Sequence, residues 1–187
     1  MHYKEINTIC ELLAKESTIL YPTDTVWGIG CDATNSKAVS KIYTIKQREE
    51  SKSLIILVSS FKMLSNYVKS IPDKAKELLE KATRPTTIIY KNPIGIAENC
   101  IASDHTIAIR IVQNEFCKEL IQKYGKPIVS TSSNISGAPT PKSFSEISTT
   151  ILDSVDYIVN LQREIVTTAS SRILKIADDN TIVVIRE

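Results

Sequence analysis

The stretch Tyr21-Pro22-Thr23-Asp24-Thr25-Val26-Trp27-Gly28-Ile29-Gly30-Cys31-Asp32-Ala33 constrains the fold more than any other part of the chain. The apolar run Thr18-Ile19-Leu20 leads into it, and Pro22 stops that strand because proline cannot donate within a sheet. Three short oxygen-bearing side chains follow. Gly28 and Gly30 then allow close backbone approach or positive φ. A helical pattern resumes near Ser36, which is placed to cap it. Strand end, polar loop, glycines and helix is a layout in which an α/β protein holds a small polar ligand. An ordinary turn capped by Asp and Thr side chains fits the same spacing.

The remaining apolar patterns extend that alternation. Helical spacing covers Tyr3 to Lys15, with Ile6, Cys10 and Leu13 on one side, and recurs through Val39, Ile42, Tyr43 and Lys46. Leu54 to Val58 is a buried strand, Phe61 to Lys69 a helical region, and Pro72 opens a helix that turns Ala75, Leu78, Leu79 and Ala82 inward. Arg84 to Tyr90 and Thr106 to Ile111 are strands. Asn114 caps a helix that Gly125 ends. Pro127-Ile128-Val129 is a short strand that delivers the hydroxyl-rich segment Ser130 to Gly137. A helix over Phe144 to Leu152 and strands at Tyr157 to Val159, from Ala169 to Ile173 and at Thr181 to Ile185 complete the chain. The expected fold class is α/β (α+β), a single domain over residues 1–187 with a twisted open mixed sheet and flanking helices.

A net charge of +2 is too small to argue for nucleic acid by itself. The four cysteines, Cys10, Cys31, Cys100 and Cys117, form no CxxC pair, which fits buried thiols in a reducing compartment rather than a zinc site. The start is not signal-peptide-like and no apolar run is long enough to span a bilayer, so the expectation is a cytoplasmic protein with no membrane partner.

Three groups of residues carry candidate chemistry. Lys46, Arg48 and Lys52 lie at a helix-to-strand junction and could converge on a polyphosphate; Glu49 and Glu50 partly offset them, as in a solvated charge run. The hydroxyls of Ser130 to Ser136 could wrap phosphate oxygens, or cap a helix. Arg110, in an apolar strand, either snorkels to the surface or meets a carboxylate. No P-loop, Ser-His-Asp or Cys-His arrangement is present. His2 and His105 have no metal-spaced partners, so no protein-built metal site is expected and His105 is a turn residue.

Taken in order, the Pro22–Ala33 stretch, Lys46-x-Arg48, Ile107-Ala-Ile-Arg110, Ser130-Thr-Ser-Ser-Asn134-Ile-Ser-Gly137 and Ser170-Ser-Arg-Ile173 resemble the YrdC-like threonylcarbamoyl-AMP synthase family, from about Leu20 to Arg186. The resemblance implies an open sheet with a concave basic face and a nucleotidyltransferase that makes threonylcarbamoyl-adenylate from L-threonine, bicarbonate (or carbon dioxide) and ATP. It implies Lys46 and Arg48 as catalytic residues, and Thr25, Arg110, Ser130 and Ser170 around L-threonine. Arg48, Lys52, Thr106, Ser132, Asn134, Thr140 and Arg186 would line the ATP side, with Mg²⁺ held mainly by the phosphates. A threonylcarbamoyl-transferase complex would take the product onward to tRNA, and contact with tRNA or other double-stranded RNA is a further implication. Two other readings use the same residues: an RNA-binding module on the basic face, and a YciO-like relative with different acceptor chemistry.

Overall fold

The computed structural model describes residues 2–49, 54–167 and 169–187. In chain order it contains α1 (His2–Ala14), β1 (Ile19–Tyr21), β2 (Gly28–Gly30), α2 (Ser36–Lys46), β3 (Ile55–Val58), α3 (Phe61–Leu64), α4 (Asp73–Glu80), β4 (Thr86–Lys91), β5 (Thr106–Ile111), α5 (Glu115–Tyr124), β6 (Ile128–Ser132), α6 (Thr149–Leu152), β7 (Tyr157–Ile158), β8 (Arg172–Ile176) and β9 (Ile182–Arg186). Among the described residues the strands form one mixed sheet in the order β7-β1-β2-β6-β3-β5-β4-β8-β9. β1/β7, β3/β5 and β4/β8 run parallel; the other neighbouring pairs are antiparallel. The expected mixed α/β sheet is the one observed.

The sheet is covered on both faces, and the two-residue period of its strands sorts the core. Leu20, Ile29, Ile56, Val58, Val129 and Ile109 face α2, whose Ala38, Val39, Ile42 and Tyr43 are buried against them. Their neighbours Ile19, Tyr21, Leu57 and Ile128 face the opposite way, onto α1 and α5 through Ile6, Ile9, Leu13, Phe116, Leu120 and Ile121. The same parity puts Ser130, Ser132 and Ile55 on the α1/α5 side. Arg110 pairs with Leu57 and shares that face. The apolar cluster on this side has no member from β4, β8 or β9, and β9 is exposed along its length.

Several boundaries differ from the sequence expectation, each for a local reason. Asn35, not Ser36, caps α2: its Oδ1 accepts from the amides of Lys37 (2.9 Å) and Ala38 (3.1 Å). The region after Phe61 keeps only the four residues of α3; beyond it the amides of Asn66 and Tyr67 bond three residues back, to the Met63 and Leu64 carbonyls (both 3.0 Å), in tight turns rather than α-helix. In α4 only Ala75 is fully buried, while Leu78 and Leu79 pack part-buried against the core. The helix expected over Phe144 to Leu152 breaks at Ile147, which is extended with ψ 126°, leaving a short 3-10 turn and α6. β6 runs on to Ser132, so the first hydroxyls of the Ser130 segment sit in a strand, held by pairing with β2 and β3.

Gly28 and Gly30 are also strand residues. Neither has positive φ; close approach is what they supply. The Tyr21 ring lies across β2 and its hydroxyl donates to the Val129 carbonyl at 3.0 Å. A Cβ on Gly30 would stand 2.5 Å from that same carbonyl oxygen and 2.6 Å from Tyr21 Cε1. Gly30→Ala is therefore expected to lower the unfolding free energy by about 1–3 kcal/mol in urea titrations. Gly28→Ala, whose nearest contact is the rotatable Ser130 hydroxyl at 3.0 Å, should cost less; equal losses would contradict this account.

Candidate active site

The loop between β1 and β2 is built by its own hydroxyls. Thr23 Oγ1 donates to the Val26 carbonyl (2.7 Å) and accepts from the Thr25 amide (3.1 Å). With that proton committed, the 3.0 Å contact between the Thr23 and Thr25 hydroxyls has Thr25 as donor, and Thr25 Oγ1 keeps its lone pairs for others. One receives Arg110 Nη2 at 3.3 Å. From behind, the buried Cys117 thiol donates to the Pro22 carbonyl at 3.1 Å, and burial pushes that thiol well above its ordinary range.

Arg110 comes from the end of β5 and its side chain is 3% exposed. Its Nη2 donates to Asp24 Oδ1 at 2.9 Å, and the Gln113 amide donates to Asp24 Oδ2 at 3.1 Å. Arg110 Nε is buried with no acceptor among the described residues. Asp24 therefore does not cap its own turn, as its place in the sequence suggests; it reaches across the sheet to β5.

Three consecutive residues at the end of α2 go separate ways. Lys46 is the last helical residue and points inward, Gln47 reverses the chain at φ 49°, and the Arg48 amide closes back on the Tyr43 carbonyl at 3.0 Å. Lys46 is 1% exposed. Its ammonium donates to the carbonyl of Ser132 and to that of Asn134 (2.7 Å), and its own carbonyl receives the Ser136 amide at 2.8 Å. Burial, then the Arg48 charge, push the Lys46 pKa down to about 8. Lys46 thus braces the turn after β6 and does not line the cleft that Arg48 lines.

On the far wall, Arg186 donates from Nε (3.1 Å) and Nη2 (2.8 Å) to the Ser171 carbonyl, and from Nη2 to the Ser171 hydroxyl at 3.2 Å. That hydroxyl also meets Thr87 Oγ1 at 2.8 Å. Burial, then the nearby Arg110 charge, hold the Arg186 pKa below its ordinary value.

One cleft of about 200 Å³ gathers Thr25, Arg48, Arg110, Ser130, Ser132, Thr140, Ser170 and Arg186, all singled out from the sequence. Four named positions stand apart. Lys46 braces the wall. Asn134 lies beyond Thr140 in an adjoining depression; its amide nitrogen donates to Ile135 and Ala138 carbonyls, and its Oδ1 is buried without a partner among the described residues. Thr106 is at the other end of β5 from Arg110 and gives its hydroxyl to Asp104 at 2.6 Å. Lys52 lies outside the described residues. Sequence reasoning missed Asp24, Thr23 and Ser171 as parts of the site. The adjacency of Asp24 to Thr25 was the available signal, but only strand pairing shows that Arg110 comes within reach. His105 is a turn residue with φ 55°. Among the described residues no group of three or more His, Cys, Asp or Glu side chains is arranged for a metal.

The Sua5/YciO/YrdC family model, described as "Telomere recombination", matches residues 11–187. A threonylcarbamoyl-AMP synthase of Pseudoalteromonas translucida is 34% identical over 151 residues, covering 79% of this chain and 81% of that protein. The crystal structure of P. abyssi Sua5 complexed with L-threonine matches with a TM-score of 0.87 at 25% identity, over 100% of this chain and 54% of that one. This chain thus spans about half the length of that Sua5. E. coli YciO shares the fold, with a TM-score of 0.83 at 24% identity over 100% of this chain and 90% of its own.

The buried ammonium makes stability depend on pH. Below pH about 8 Lys46 is protonated in both folded and unfolded chains; between about 8 and the ordinary 10.5 the unfolded chain holds the proton that the folded one has released. This contribution is therefore full above the ordinary value and is lost as pH falls toward 8. In urea titrations at pH 7.5 and 9.5 (roughly spanning the lower part of that window) the stability of wild type should rise relative to Lys46→Met. A difference that does not change with pH would mean that Lys46 keeps its ordinary affinity for protons.

Proposed function

We propose the chemistry of this protein from one premise: the chain belongs to the Sua5/YciO/YrdC family. It is a threonylcarbamoyl-AMP synthase, a transferase that serves tRNA modification. Its substrates are L-threonine, bicarbonate or carbon dioxide, and ATP. The single observation that carries this reading is the cleft itself: Arg48, Arg110 and Arg186 converge with the hydroxyls of Thr25, Ser130, Ser132 and Ser170.

The reaction sets the requirements. The threonine amine adds to carbon dioxide, losing a proton, or to bicarbonate, losing water. A carboxylate oxygen of the resulting carbamate then attacks the α-phosphorus of ATP, and pyrophosphate leaves with the electron pair of the broken P–O bond. Two anions have to meet, so fixed cations must offset their repulsion and the charge that develops on the leaving group. Arg48 faces the phosphates, with Arg186 on the nucleotide side. Arg110 takes the threonine carboxylate through donors that Asp24 does not use, and Thr25, Ser130 and Ser170 complete the amino-acid pocket. Ser132 and Thr140 supply hydroxyls on the nucleotide side. Asn134 offers the unpartnered Oδ1 to a ligand donor from the adjoining depression. Lys46 contributes by holding the Ser132–Asn134 turn rather than by touching phosphate. No protein nucleophile is required, because positioning two substrates side by side supplies the rate.

The donor set fits Mg²⁺ carried on the nucleotide: Ser132 and Thr140 offer hard oxygen ligands, and an ion that retains its waters needs few of them. When bound, Mg²⁺ would neutralise phosphate charge. A transferase complex that passes the threonylcarbamoyl group to tRNA is the partner this product implies, with contact to tRNA as an extension of the same reading. No helix among the described residues is long and apolar enough to cross a membrane. A cytoplasmic location is part of the proposed reading, since the product serves tRNA modification.

Purified protein given L-threonine, bicarbonate, Mg²⁺ and ATP should release pyrophosphate only when threonine is present. Arg48→Ala should lower turnover by about a hundredfold or more, by removing a charge-assisted phosphate contact. No threonine-dependent pyrophosphate above background would reject the reading.

A further inference from the structure

We propose that Asp24 is a positioning residue for amino-acid recognition: it fixes the Arg110 guanidinium from behind so that the remaining donors face the cleft. The inference rests on the reading above that the cleft takes L-threonine.

The geometry separates the two residues by side. Arg110 lines the arginine-rich cleft and Asp24 does not. Asp24 lines the neighbouring depression, and Thr25 and Ser170 form part of both walls. A carboxylate entering the cleft therefore meets Arg110 with Asp24 on the far side, so Asp24 is placed to orient Arg110 rather than to compete for the cleft. Asp24 uses one oxygen on Arg110 Nη2 and the other on the Gln113 amide. That leaves the carboxylate held at both ends and only 8% exposed. Its grip on Arg110 is through a single nitrogen. Thr25 Oγ1 shares that nitrogen, which ties the orientation of Arg110 to the hydroxyl beside the amino-acid pocket.

The orphaned Nε completes the argument. Buried donors in native proteins are almost always paired, and a buried guanidinium nitrogen without an acceptor is costly. Here it belongs to the guanidinium whose Nη2 is already committed to Asp24.

The test is steady-state pyrophosphate release with L-threonine and ATP varied separately, for wild type, Asp24→Asn and Asp24→Glu. Asp24→Asn removes the charge and should raise the KM for L-threonine by about tenfold to a hundredfold, with the KM for ATP and kcat near wild type. Asp24→Glu keeps the charge but displaces it by one methylene, and should give a smaller rise in the same KM. Thermal melts establish that each variant is folded. If Asp24→Asn does not fold, the Asp24→Glu result decides. An unchanged threonine KM in the folded variants would overturn the proposal. So would a fall in kcat with both KM values unchanged, the signature of a merely structural role. Wild type that turns over no threonine would reject the reading of the cleft and this inference together.

Discussion

A guanidinium almost wholly removed from water must be answered by an anion, and in this protein the Arg110–Asp24 pair ties the loop after β1 to the end of β5. β1 and β5 are four places apart in the sheet, with β2, β6 and β3 between them. The pair therefore joins two distant parts of the sheet, with Arg110 on the cleft side and Asp24 behind it. A buried ion pair is weak support for stability, since desolvation of both charges offsets most of their attraction, and a well-packed apolar pair would hold the fold as well. What an apolar pair could not do is present a fixed donor beside the hydroxyls of Thr25 and Ser130. The expensive interaction sits beside the hydroxyl-lined cleft, and the bulk of the core is ordinary aliphatic packing around it.

Lys46 shows the same division between cations that brace and cations that contact. Its ammonium is buried, and its hydrogen bonds go to main-chain carbonyls that a strand end would otherwise leave unpaired. Arg48, two residues on, is turned out of the helix by the left-handed Gln47 and reaches the cleft. The helix end thus converts a Lys-x-Arg sequence into one strut and one contact. Lysine suits the strut, because a compact ammonium fits between two carbonyl oxygens, whereas the planar arginine fork suits a phosphate.

The mixed sheet, the strand at Thr106–Ile111 and the helix from Asn114 to Gly125 were legible because period, cap and stop signal agree in each. Most of the cleft was legible too, through the ordered motifs, since Thr25, Arg48, Arg110, Ser130, Ser170 and Arg186 do come together. Two kinds of fact were not. Gly28 and Gly30 look like loop glycines until the Tyr21 ring is seen lying over them. The roles of Asp24 and Lys46 depend on partners far away along the chain: Arg110 in one case, the Ser132 and Asn134 carbonyls in the other. A Lys-x-Arg motif carries no mark of which cation turns inward; that is decided by the backbone reversal at a single residue.

The distribution of unpaired buried polar atoms carries the argument one step further. Folded interiors leave few such atoms, because each costs about 1–3 kcal/mol. Among the described residues the side-chain atoms in this state are Arg110 Nε, Ser133 Oγ, Asn134 Oδ1, Asn99 Oδ1 and Arg172 Nε. The first three belong to the cleft and to the turn that Lys46 braces, and they include both donors and acceptors. In the same cleft, burial and then the Arg110 charge hold the proton affinity of Arg186 below its ordinary value. Three of these five atoms, together with the charge repulsion felt by Arg186, stand in or beside one cleft. On the proposed reading, the cleft arginines would be answered by the carboxylate and phosphate oxygens that an amino acid and a nucleoside triphosphate present side by side.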